Sequence, residues 1–170
     1  MAKATLRKIM KRAHEIARKL EGDYWARLSY GLKVAWAEYK EYKKEVNGMN
    51  EIMNGTPQIV KDTFGKDRKV WLCVVIMDGK TTKTYPTKEQ LKKEGCVWAT
   101  SGMRSSWVLP VEDKEEVKAK YLEYKQRGYE VDIRATDKTM HMPLKEANAI
   151  WGTKFPQELI RELIRFKYDN

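Results

Sequence analysis

The sequence predicts an α+β protein in which a basic helical hairpin precedes a small sheet-and-helix domain. Three observations predict it. Apolar residues recur at helical spacing over residues 5–46. The run Lys69 to Met77 (KVWLCVVIM) is apolar and rich in β-branched residues. Between residues 69 and 135, strand-like and helix-like stretches alternate around Gly-containing turns.

The elements follow in chain order. In residues 5–20, Leu6, Ile9, Met10, Ala13, Ile16, Ala17 and Leu20 form one helical stripe, and basic residues fill the other positions. Glu21-Gly22-Asp23 breaks the pattern, and Asp23 suits the N-cap of a second helix, Tyr24 to Val46. The short break implies an antiparallel helical hairpin, residues 1–46. Residues 47–68 read as a linker with a short helix after Pro57. The α+β domain, residues 69–135, begins with the strand Lys69 to Met77, a turn at Asp78-Gly79 and a return strand Thr81 to Tyr85. Thr87 and Gln90 read as the capping box of a short helix ended by Gly95. Cys96 to Ala99 and Ser106 to Leu109 read as a second hairpin. Glu112 to Arg127 is a helix with acids early and bases late; Gly128 stops it, and Tyr129 to Arg134 is the last strand. The order is ββαββαβ, in a mixed or antiparallel sheet. Residues 136–170 add helices at Leu144 to Trp151 and Pro156 to Tyr168, which pack on the domain through Phe155, Leu159, Ile160, Leu163 and Ile164.

The net charge is +10, from 34 basic and 24 acidic residues. It is uneven: residues 1–46 carry 12 bases and 6 acids, 47–110 carry 10 and 6, and 111–170 carry 12 and 12. The excess in the first two thirds favours an anionic partner and disfavours an acidic mimic of DNA. Cys73 and Cys96 have no metal-ligand spacing, and Cys73 lies in the apolar strand, which suits a reducing, cytoplasmic compartment. The basic N-terminus has no apolar segment of a signal peptide, and Val70 to Met77 is too short to span a membrane.

Two stretches resemble proteins of phages and other mobile elements. Residues 9–37, with Met10-Lys11, Ala13 to Ala17 and Leu32 to Trp36, resemble a helical hairpin common in small accessory proteins of Firmicutes phages and plasmids. Residues 86–110, with Lys88, Leu91, Lys92, Gly95, Trp98, Trp107, Val108, Leu109 and Pro110, resemble a small domain of unknown function in mobile-element proteins. In this chain the usual charged turn is Thr-Ser-Gly-Met-Arg-Ser. The resemblance implies a mobile genetic element, where small basic non-enzymatic proteins include nucleic-acid-binding accessories and anti-CRISPR inhibitors. The leading expectation is a non-enzymatic inhibitor that binds a host CRISPR effector or ribonucleoprotein and blocks nucleic-acid recognition. The alternative is a nucleic-acid-binding accessory of phage replication or transfer; a nuclease is third.

The expected contacts are basic. Lys3, Arg7, Lys8, Lys11, Arg12, Arg18 and Lys19 suit a phosphate backbone or an acidic groove; the plain alternative is a solvated helix face. Lys66, Arg68 and Lys69 read as a basic loop before the first strand, binding or merely solubilising. Lys80 and Lys83 sit on the first hairpin and Arg104 at the tip of the second. Trp98 and Trp107 read as cross-strand packing, with a base-stacking platform as the alternative. His14 and His141 have no ligand-spaced partner, and no Ser–His–Asp, Cys–His or paired-carboxylate motif is present, so no catalytic residue, metal or cofactor is assigned. Asp62, Asp67 and Asp78 are the carboxylates a nuclease would have to assemble.

Overall fold

The computed structural model describes residues 3–102 and 104–170, with side chains from Thr5 onward, so the Lys3 side chain lies outside the described residues. The chain divides into two compact units, Met1–Met49 and Asn50–Asn170.

The first unit is built from α1 (Lys3–Ala17) and α2 (Tyr24–Met53). Asp23 caps α2 as expected, its Oδ2 accepting from the Trp25 and Ala26 N–H groups at 3.0 and 3.1 Å. Arg27 Nη1 donates to the Leu20 carbonyl at 3.0 Å and pins the turn. Ile9 and Ala13 pack against Leu28 and Ala35, flanked by Ile16, Leu32, Trp36 and Tyr39. The backbones come close at Gly31, where a Cβ would lie 2.4 Å from the Ala13 carbonyl oxygen.

The stretch 47–68, expected as a linker, instead holds the end of α2, the strand β1 (Gln58–Lys61) and the start of β2 (Asp67–Met77). Gly48 sits inside the helix; the chain turns at Gly55, whose φ of 72° suits glycine. After Pro57 comes a strand and not a helix, because Gln58–Lys61 finds a ladder partner in Asp67–Val70.

The second unit continues with α3 (Lys88–Lys93), β3 (Val97–Ser101), β4 (Arg104–Val111), α4 (Lys114–Gln126), β5 (Glu130–Thr136), β6 (His141–Met142), α5 (Leu144–Ile150) and α6 (Gln157–Asp169). The strands pair antiparallel in the order β3-β4-β2-β5-β6, with β1 added to β2. The ends of that path meet through one parallel bridge, Thr100 to Met140, so the sheet curls back on itself. That curl explains why β2 is apolar along its length. Leu72, Val74 and Ile76 face α4 (Val117, Tyr121, Tyr124) and α6 (Leu159, Leu163), while Cys73 and Val75 face inward with Ala99 and Val108. Each such fully buried side chain contributes about 1.5–3 kcal/mol.

The ββαββαβ order holds, but its first hairpin is β1–β2. Thr81 to Tyr85 is not a strand, because β4 and β5 already occupy both edges of β2. The segment is instead a loop pinned by the Gly79 N–H to Thr82 carbonyl bond (2.9 Å) and by Thr82 Oγ1 donating to the Arg127 carbonyl (2.7 Å). Nor does Thr87 form a capping box. Its hydroxyl accepts from Tyr129 Oη at 2.7 Å and donates toward the Lys83 and Thr84 carbonyls, which ties α3 to β5. The fuller cap is at α4, where Asp113 Oδ1 accepts from the Glu115 and Glu116 N–H groups at 3.0 and 2.8 Å.

Candidate nucleic-acid interface

On α1, helical spacing puts Arg7 and Lys11 in one row opposite the buried Ile9 and Ala13, with Lys8 and Arg12 beside it; Arg18 and Lys19 lie in the turn just after the helix. All six are exposed. Arg12 is committed elsewhere: it makes a two-pronged bond to Glu38 of α2 (2.8 and 3.0 Å) and a looser one to Glu15. Those are the only ion pairs of this unit among the described residues, so Arg7, Lys8, Lys11, Arg18 and Lys19 present unneutralised charge.

In the second unit, the expected basic loop before β2 is largely strand. Only Lys66 stays in the turn, where Asp62 Oδ1 accepts from the Phe64 and Lys66 N–H groups, both at 2.9 Å. Arg68 is half-buried, stacked over Trp151 and paired with Asp137 at 3.4 Å, so it holds the fold together. Lys69 stays exposed on the opposite face of the strand, its Nζ 5.0 Å from the Trp71 ring centre. Lys138 approaches the same ring at 4.6 Å. It does so from a left-handed backbone, φ 75°, the only non-glycine residue in that region among those described.

The second hairpin supplies a further surface. Trp98 and Trp107 are direct cross-strand partners, their ring centres 5.2 Å apart at 66°. They divide the roles that the sequence left open. Trp107 is 8% exposed and belongs to the core, whereas Trp98 is 55% exposed. Trp98 borders a cleft of about 370 Å3 with Ile76, Met77, Asp78, Thr84, Arg104, Ser105 and Ser106. Arg104 and Trp98, separate candidates in the sequence, thus share one site. Arg104 has no carboxylate partner among the described residues. Asp78 Oδ1 accepts from the Thr84 N–H and hydroxyl, both at 2.8 Å, and those bonds hold its carboxyl below the ordinary carboxylate range. Lys80 is exposed on the adjoining loop; Lys83 is exposed too but donates to the Gly79 carbonyl at 3.2 Å.

Residues 9–85 match the family described as Streptococcus thermophilus bacteriophage Gp111 protein. That similarity supports a phage-encoded accessory protein. It takes in Ile9 onward in α1, the following helix, β1, β2 and the loop after β2, and it ends before Trp98. No curated protein and no solved structure matches the chain.

The remaining candidates do not converge. Asp67 and Asp78 stand at opposite ends of an 11-residue strand, about 36 Å apart at strand rise, so they cannot share a metal. Among the described residues no three His, Cys, Asp or Glu side chains are grouped to hold one. No described helix is long and apolar enough to cross a membrane. His141 is buried, with neither ring nitrogen bonded to a partner; burial, with Arg134 nearby, pulls its pKa down to about 4. Sequence reasoning missed Asp78 as a cleft residue and the Lys69–Trp71–Lys138 cluster. No local pattern signals the first, since Asp78 reaches Thr84 six positions on, beyond the two-residue reach of an Asx turn.

Proposed function

We propose that this phage-encoded chain is a non-enzymatic accessory protein that binds nucleic acid. The observation that carries the reading is the surface of α1 and the turn after it, where Arg7, Lys8, Lys11, Arg18 and Lys19 are exposed without carboxylate partners among the described residues. Unneutralised charge in rows along a helix suits a phosphate backbone, because binding releases the counterions condensed on it. The Trp98 cleft supports the same reading, since an aromatic ring beside a free arginine suits nucleic acid better than a plain acidic patch.

The test is a binding titration with single-stranded DNA, duplex DNA and RNA across a salt series around 0.15 M, repeated with Arg7→Glu, Lys11→Glu and Arg18→Glu combined. The reading expects the logarithm of affinity to fall linearly with log salt, and expects the triple variant to flatten that slope by about 2–3, at roughly 0.9 per phosphate contact. A slope unchanged by the triple variant refutes it. An anti-CRISPR-like inhibitor would use the same face against guide RNA held in a host effector. That reading expects only weak binding to free nucleic acid, together with capture of the purified ribonucleoprotein.

A further inference from the structure

We propose that the cleft beside Trp98 holds one unpaired nucleobase bearing an exocyclic amino group, so that the nucleic acid bound is single-stranded. The proposal rests on the nucleic-acid reading above and deepens it.

Trp98 is the starting point. An isolated exposed aromatic needs no explanation, but this one is held in place. Its edge-to-face contact with buried Trp107, at 5.2 Å, fixes the indole on a strand while more than half of it remains open. A rigid, open aromatic face is what base stacking uses, and it requires a base released from its pair.

The cleft beside it fits a base. Its volume of about 370 Å3 is near the lower end of the ~300–1,000 Å3 range for small-ligand sites. One wall is polar and short: Thr84, Ser105 and Ser106 offer hydroxyls. Asp78 has one oxygen committed to the Thr84 N–H and hydroxyl, while Oδ2 has no protein hydrogen bond among the described residues. A charged carboxylate repels phosphate, so it favours the base end of a nucleotide. It accepts from the amino groups of adenine, cytosine and guanine, whereas thymine and uracil have none. Arg104, unpaired at the hairpin end of the cleft, is the complementary group for the phosphate. Stacking face, base-edge acceptor and phosphate cation therefore line one opening.

The experiment is a set of titrations of the full chain with labelled 15-mers of dA, dC and dT, the rC and rU counterparts, and a mixed duplex. The proposal expects dA and dC to bind tighter than dT, and all three to outcompete the duplex. The rC and rU arms identify whether RNA or DNA is preferred. Trp98→Ala should weaken dC binding about 5- to 150-fold, and Trp98→Tyr should retain most of it. Asp78→Asn keeps an acceptor for Thr84 and should abolish the preference for dC over dT. Circular dichroism confirms that each variant is folded, and the tyrosine variant keeps the test decisive where alanine perturbs the hairpin. Equal affinity for dC and dT, or a folded Trp98→Ala protein that binds as wild type does, overturns this proposal while leaving the general reading standing. Binding to no oligonucleotide overturns both. Self-association without nucleic acid that Trp98→Ala abolishes would assign the surface to a second copy of this chain instead.

Discussion

Gly79 separates two explanations of the same glycine. An Asp-Gly hairpin turn demands a left-handed glycine, a site where Asn is tolerated nearly as well. In the structure Gly79 is not among the positive-φ glycines. Its constraint is space: a Cβ there would lie 1.9 Å from the Gly128 carbonyl oxygen and 3.1 Å from the Glu130 nitrogen. Restoring ordinary contact requires the loop to withdraw by roughly 1.5 Å from backbone that cannot rotate away. The withdrawal strains or breaks the Gly79 N–H to Thr82 bond, the Thr82 to Arg127 bond and the Lys83 to Gly79 bond. At about 0.5–1.5 kcal/mol for each of the three hydrogen bonds, with overpacking of about 1–3 kcal/mol, Gly79→Ala should cost about 2.5–7.5 kcal/mol. Against a typical stability of about 5–15 kcal/mol that is a large fraction of the whole. Urea unfolding followed by tryptophan fluorescence measures the loss. Gly79→Asn should be at least as damaging as Gly79→Ala. An asparagine variant within about 0.5 kcal/mol of wild type would refute the close-approach argument and restore the turn.

Three further outcomes follow from the packing. Gly31→Ala should destabilise the helical hairpin by about 1–2 kcal/mol, since the clash with the Ala13 carbonyl outweighs a helix-propensity gain of about 1 kcal/mol; Gly48→Ala, with nothing within 4 Å, should stabilise it by about 0.5–1 kcal/mol. Hydrogen exchange of α1 and α2 amides reads both, and equal signs would contradict the reasoning. Lys138→Gly removes left-handed strain of about 1 kcal/mol along with a cation–π contact of about 0.5–1 kcal/mol, so urea unfolding should show little net change. A loss above 2 kcal/mol would make the Lys138 side chain structural. For His141 the folded pKa of about 4 lies below the unfolded value near 6.5, so the unfolded state binds more protons between them. Its stabilisation is complete above pH 6.5 and is lost as pH falls toward 4, about 2 kcal/mol by pH 5. His141→Leu should remove that part of the acid sensitivity in urea melts at pH 7.5 and 5, and an unchanged pH dependence would clear His141 of it.

Most elements were legible because their signals are local. The α1 stripe, the Asp23 cap and the pairing of Trp98 with Trp107 each depend on residues close in sequence. What stayed hidden depends on distant partners. Thr81 to Tyr85 alternates like a strand, yet the places beside β2 are filled by β4 and β5, from further along the chain. Gln58–Lys61 is short and follows a proline, and only its pairing with Asp67–Val70 makes it a strand. Charge behaves in the same way. Arg12 and Arg68 look like their basic neighbours in the sequence, and they are withdrawn from the surface charge by Glu38 and Asp137, which no local pattern announces.

The Trp pair packs across the strands as its place in the hairpin predicts, and it adds a division of exposure. Trp98 and Trp107 occupy equivalent positions on one face of one hairpin. Their exposures differ because β4 lies between β3 and β2 while β3 ends the strand path. Trp107 meets Ile76 across the ladder and is covered on both sides; Trp98 has a neighbour on one side and the cleft near the other. A hydrophobic requirement at position 98 would be met by a smaller β-branched residue on an edge strand, without exposing a large aromatic surface. Packing on Trp107 accounts for part of a tryptophan there, about 0.5–1.5 kcal/mol, and the proposed base site would use the face that this contact leaves open beside Arg104 and Asp78. That argument makes Trp98→Val the sharper companion to alanine: folding should be retained within about 1 kcal/mol, and binding to unpaired bases should fall as far as it does with alanine.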